Sequence, residues 1–83
     1  MDNTLNLIPG QLYAVIKPFE DYDHFIHPVG EKWIYRGTNF LPYEDGLTVH
    51  IVMDEINQVY RLQWRLDAQG EIIDHFHSYV EPV

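Results

Sequence analysis

The chain reads as a mainly β domain: a small antiparallel SH3-like barrel or curled sheet of four to five strands, with one C-terminal α-helix. Three observations carry that reading. Leu47–Met53 and Val59–Leu66 alternate apolar and polar side chains with the period of two that a half-buried strand requires. Glu44-Asp45-Gly46 supplies a turn signal just before the first of these runs. From Ile72 the period lengthens, so that Ile72, Ile73, Phe76, Tyr79 and Val80 fall on one stripe of a helix.

Taken in order, residues 1–8 read as a frayed tail, and Pro9-Gly10 marks the start of structure. Leu12 to Phe19 forms the first strand, with Leu12, Ala14 and Ile16 on the inner side and Tyr13, Val15 and Lys17 outside. Pro18 has no N–H for a ladder, so the strand stops there or lies at an edge. Glu20 to His27 is a polar, aromatic-rich loop. Gly30 admits a tight turn into a second strand, Glu31 to Gly37, and Asn39 to Tyr43 is irregular. The strand Leu47–Met53 puts Leu47, Val49, Ile51 and Met53 inside. Asp54 to Gln58 is a polar turn, after which Tyr60, Leu62, Trp64 and Leu66 face inward and Arg61, Gln63 and Arg65 outward. The helix spans 67–81, with Asp67 as N-cap and Pro82 as stop. The core is seeded by Trp33, Tyr35, Phe40, Leu41, Tyr43, Leu47, Val49 and Ile51, aromatic rings each removing ~150–250 Å² from water.

Eighty-three residues make a single domain, and a chain so short buries only about 60–65 % of its unfolded surface. Apolar residues at 46 % and aromatics at 14 % meet that demand despite a net charge of −8. The absence of cysteine leaves packing as the source of stability. The N-terminal residues show no positively charged or long apolar run, so neither a signal peptide nor a membrane span is expected, and the cytoplasm is the expected location. Five basic residues against thirteen acidic ones argue against nucleic acid and anionic lipid as partners. The same balance suits rapid association with a basic protein.

The segments DYDHFIHPVGEKW, NFLPYEDGLTV and RLQWR–AQGEII resemble the bacterial domain-of-unknown-function 3601 family, over about Gly10 to Tyr79. The resemblance implies a single-domain bacterial protein. It carries no activity and assigns no functional residue.

Catalysis has little to work with. The one serine, Ser78, has no glycine-flanked elbow, and the pairs Glu20-Asp21, Glu44-Asp45 and Asp54-Glu55 read as solvated turns. No cofactor is expected. His24, His27, His75 and His77 stand near carboxylates and are the candidate metal ligands, although His75 and His77 lie on opposite sides of a helix. The sequence points instead to a non-enzymatic protein-binding module, with an acidic inhibitor or antidote of a basic partner as a sub-case. The alternative is a divalent-metal-binding protein or sensor. The binding candidates are Tyr13, Arg36, His50, Arg61, Gln63 and Arg65 on the outer sheet face, with Tyr22 and Phe25 on the Glu20–His27 loop.

Overall fold

The structure is a computed structural model that describes residues 2–65 and 67–83; the inward placement expected for Leu66 lies outside them. Strands β1 (Leu12–Val15), β4 (Lys32–Leu41), β5 (Gly46–Met53), β6 (Ile56–Gln63) and β7 (Val80–Pro82) form one antiparallel sheet in the order β6-β5-β4-β1-β7. Strands β2 (Phe19–Glu20) and β3 (Ile26–His27) form a separate small hairpin. The sheet is open rather than closed into a barrel. One edge, β7, is three residues long and contains Pro82, which has no N–H to offer a further strand. The other edge, β6, is met at Arg61 by the hairpin loop, whose Tyr22 N–H donates to the Arg61 carbonyl at 2.7 Å.

The core lies on one face of the sheet. Trp33 and Tyr35 of β4, Leu47, Val49 and Ile51 of β5, and Tyr60 and Leu62 of β6 are all buried there, in the expected phase. β1 has the opposite phase to the one its own residues suggested. Tyr13 and Val15 are buried, whereas Leu12 and Ile16 are exposed. The neighbour decides: Tyr13 sits directly opposite Trp33, and residues opposite each other share a face. Tyr13 therefore joins the core, packing on Trp33 and Tyr35, and its hydroxyl accepts from Ile8 N–H at 2.9 Å.

β4 is longer than expected. A bulge at Arg36, between the pairs Tyr35–Ile51 and Gly37–His50, resets the phase so that Thr38 is buried and Asn39–Leu41 continue the ladder. Pro42 then opens a single 3-10 turn, Pro42–Glu44, which turns Leu41 and Tyr43 out of the core. The β5–β6 connection is tighter than a five-residue turn: Asp54 and Glu55 both have positive φ, as a two-residue hairpin demands, and β6 begins at Ile56. β6 ends at Gln63, so Trp64 lies beyond the alternation. It is 40 % exposed, edge-on to Phe40, with its indole N–H donating to Asp74 Oδ1 at 2.9 Å.

The N-terminal segment is bound rather than frayed. Asp2 and Thr38 exchange backbone hydrogen bonds at 2.9 Å, Tyr35 donates its hydroxyl to Asn3 Oδ1, and Leu5 and Leu7 are buried. The expected 67–81 helix is also replaced. Only Gly70–Asp74 (α1) is helical, with Gln69 rather than Asp67 at its N-cap. His75, at φ −126° and ψ 33°, breaks the helix; a 3-10 turn at Phe76–Ser78 follows, and the chain leaves as β7. The apolar stripe still does its work, since Ile73, Phe76, Tyr79 and Val80 are all buried. No helix among the described residues is long and apolar enough to cross a membrane.

Candidate functional site

The β2–β3 hairpin organises both clefts that flank β6. Its loop is shaped by Asp21, whose Oδ1 accepts the backbone N–H groups of Asp23 (2.9 Å) and Phe25 (3.1 Å), while His24 takes a left-handed conformation. Asp21 is 2 % exposed, not a solvated turn residue. Its Oδ2 lies 2.8 Å from His27 Nε2, and the other ring nitrogen, Nδ1, lies 2.7 Å from Glu31 Oε2. An imidazole that bridges two ionised carboxylates donates from both nitrogens, so this geometry favours the imidazolium form of His27. Burial pushes the ring towards neutrality. The hydrogen bonds and charges of Glu31 and Asp21 outweigh it and hold the His27 pKa above its ordinary value.

Aromatic rings enclose this centre. Phe19 stacks on His27 with centroids 4.6 Å apart, and Tyr60 approaches from the sheet at 4.5 Å. Trp33 donates its indole N–H to the same Glu31 oxygen at 3.2 Å. One group is left out: the Tyr60 hydroxyl is buried without a hydrogen-bond partner, and burial pushes its pKa well up. Such an orphan in a native interior calls for an explanation. Beside it a cleft of about 330 Å³ opens between the hairpin and β5–β6, lined by Phe25, Ile26, Ile51, Met53, Val59 and Tyr60 together with the polar Asp21, His27, Glu31 and Gln58.

The second cleft, of about 430 Å³, lies on the other side of the Tyr22–Arg61 contact. Tyr22, Tyr43, Gly46, Arg61, Leu62, Gln63 and Arg65 line it. Four of the eight binding candidates, Tyr22, Arg61, Gln63 and Arg65, therefore converge. The guanidinium groups are internally paired: Arg61 Nη2 lies 2.7 Å from Asp23 Oδ1, and Arg65 Nε 2.9 Å from Asp45 Oδ2. Arg61 holds the Asp23 carboxyl below its usual range. Two of the three arginines among the binding candidates, Arg61 and Arg65, are thus closed into ion pairs by turn residues. Tyr43 contributes what the sequence reading missed, a ring 99 % exposed at the rim.

The other candidates are dispersed. Phe25 is exposed at the lip of the first cleft. Arg36 and His50 share a shallow hollow on the outer sheet face with Asn57, Gln58 and Val59, and His50 Nε2 lies 2.8 Å from Asn39 Nδ2. Tyr13 belongs to the core. Of the histidines, His24 pairs with Glu20 at 2.8 Å, and His75 and His77 stand exposed in successive turns. The carboxylates of the His27 centre sit on opposite ring nitrogens and cannot chelate one ion with it. Among the described residues no three such groups converge as metal ligands.

Two features could have marked the His27 centre in advance. Between Lys17 and Lys32 the chain holds Glu20, Asp21, Asp23 and Glu31 with no Lys or Arg, so within that segment His24 and His27 are the cations on offer. An imidazole in an acidic, aromatic segment gains most from burial beside a carboxylate.

No curated protein matches the chain. Among solved structures, an integron cassette protein from the mobile metagenome of Vibrio cholerae has the same fold. It matches with a TM-score of 0.93 and 30 % sequence identity, covering 100 % of this chain and 92 % of that one. The family described as a domain of unknown function, DUF3601, matches residues 2–83, essentially the whole chain, and the protein belongs to that family.

Proposed function

We propose that the protein is a small non-enzymatic protein-binding module that engages a basic partner along the β6 edge, at the clefts on either side of the hairpin loop. The observation that carries this reading is the convergence of Tyr22 and the fully exposed Tyr43 on one cleft beside an edge strand. Exposed aromatic side chains concentrate at interface centres, where they bury large area at small entropic cost. With Arg61 and Arg65 neutralised by Asp23 and Asp45, the field a partner meets at long range is that of a chain with net charge −8, which favours a basic surface and accelerates its approach. The buried His27 supports a non-catalytic reading: both ring nitrogens are committed to carboxylates, so neither is left to move a proton.

Affinity capture from the native host, comparing the wild type with a Tyr22→Ser, Tyr43→Ser double variant, tests the reading. A basic protein retained by the wild type and lost by the variant supports it. Identical partner lists from two folded proteins would overturn this placement of the interface.

A further inference from the structure

The first cleft combines apolar walls with a polar floor that lacks one positive charge. Its walls are Phe25, Ile26, Ile51, Met53 and Val59, with the polar Gln58 beside them. Its floor holds two carboxylates, Asp21 and Glu31, against a single cation, His27, so the centre keeps one net negative charge. The oxygens of Asp21 and Glu31 Oε2 are engaged by His27, Trp33 and the loop amides. The Tyr60 hydroxyl has no partner.

We infer that this cleft receives a primary ammonium on an aliphatic stem, the side chain of a lysine presented by a partner protein, with Glu31 as counter-ion and the Tyr60 hydroxyl as a hydrogen-bond acceptor. The inference deepens the protein-binding reading and rests on it for the source of the lysine. A methylene stem matches the apolar walls. The ammonium brings the one positive charge that makes the buried group neutral, and its N–H groups supply the donor the hydroxyl lacks. An anion is repelled by the residual charge, and a neutral apolar guest would leave both the charge and the hydroxyl uncompensated. The chain's net charge of −8 favours the same cation at long range. Phe25 and Ile26 stand largely exposed at the lip, and because the hydroxyl is shut off from water, binding requires these side chains to move aside.

The test is an NMR titration of the labelled full-length chain with Nα-acetyl-lysine-methylamide, its Nε-acetylated counterpart, the corresponding blocked arginine and n-butylammonium. The expected result is saturable shifts at the Ile51, Met53 and Val59 methyl groups with blocked lysine, and none with the Nε-acetylated form. Affinity should fall at least roughly tenfold in Tyr60→Phe, the loss of one hydrogen bond from a charged donor, and at least roughly tenfold in Glu31→Gln. Should Glu31→Gln fail to fold, Tyr60→Phe and the Nε-acetylated probe still decide. Absence of saturable shifts, equal binding of the acetylated form, or tighter binding of blocked arginine overturns the site. Tighter binding of n-butylammonium overturns the lysine in favour of a free amine. Blocked lysine that binds while the Tyr22→Ser, Tyr43→Ser variant keeps every partner separates this site from the edge interface, whose failure would then stand alone.

Discussion

Tyr60→Phe is expected to stabilise the protein, an unusual sign for a substitution at a core position. A hydroxyl buried without a partner costs about 1–3 kcal/mol relative to water, because it gives up its hydration for nothing. Deleting the oxygen removes that penalty and leaves a void of roughly 10 Å³, which at about 24 cal/mol per Å³ returns only ~0.2 kcal/mol. The net gain is about 1–2.5 kcal/mol, and each kcal/mol raises the Tm of a domain this size by roughly 4–8 °C. Urea unfolding followed by tryptophan fluorescence, with thermal melts by circular dichroism, measures it. Tyr35→Phe provides the internal contrast: its hydroxyl donates to Asn3 Oδ1 at 2.5 Å, so its loss should destabilise by about 1 kcal/mol. If Tyr60→Phe is neutral or destabilising while Tyr35→Phe behaves as expected, the Tyr60 hydroxyl is satisfied in solution and the argument fails. A protein that keeps such a group against its own stability is consistent with a binding role for it.

Four further outcomes are expected. His27→Ala should cost roughly 3–5 kcal/mol, since it strands the buried Asp21 beside the partly buried Glu31 as neighbouring carboxylates; a smaller loss in urea unfolding would mean that water reaches both. The folded-state pKa of His27 is raised, so its contribution is fully present below the unfolded value of about 6.5 and is lost as pH rises through the folded value. The wild-type urea midpoint should therefore fall more steeply across that window than that of a His27→Gln variant, in which the exposed His24, raised by Glu20, keeps a slope of the same sign; parallel profiles would refute the imidazolium. Trp64→Ala should cost only about 1–2 kcal/mol because the ring is already 40 % exposed, and a loss above 3 kcal/mol would place the ring in the core. Gly70→Ala should destabilise by about 1–3 kcal/mol, against the usual helix preference for Ala, because the added Cβ would lie 2.6 Å from the Arg65 carbonyl oxygen; a gain in Tm would show that the chain yields there.

The sheet was legible in the sequence where a strand's own residues alternate between apolar and polar. β5 and the buried half of β6 have the expected phase, because Leu47, Val49, Ile51, Tyr60 and Leu62 leave no better face to bury. β1 could not be phased from its own four residues, since Leu-Tyr-Ala-Val is apolar on both sides and the choice is made by Trp33 across the ladder. The tail illustrates a different loss: a stripe at i, i+4 and i+7 is also satisfied by one helical turn, a 3-10 turn and a strand. Local periodicity does not record that β7 has a partner in β1, almost the whole chain away. The site was half legible. Tyr22, Arg61, Gln63 and Arg65 do meet in one cleft. The acids that neutralise the arginines, and the carboxylates that grip His27, come from turns whose burial is a tertiary property that composition cannot reveal.

The position of β1 also bears on how the chain is assembled during synthesis. β4, β5 and β6 follow one another through short turns and can pair as soon as each emerges. β1 is made first, and although it finds β4 early, its other side waits for Val80–Pro82. Until those residues arrive, the nascent domain presents an unprotected strand edge at Tyr13–Val15, together with an inner face lacking Ile73, Phe76 and Tyr79. Such long-range closure is the slow step of β-rich folding. The interval between translating β6 and translating β7 is therefore when this protein is most exposed to association with other unfinished chains, and slow translation through residues 64–79 would lengthen it.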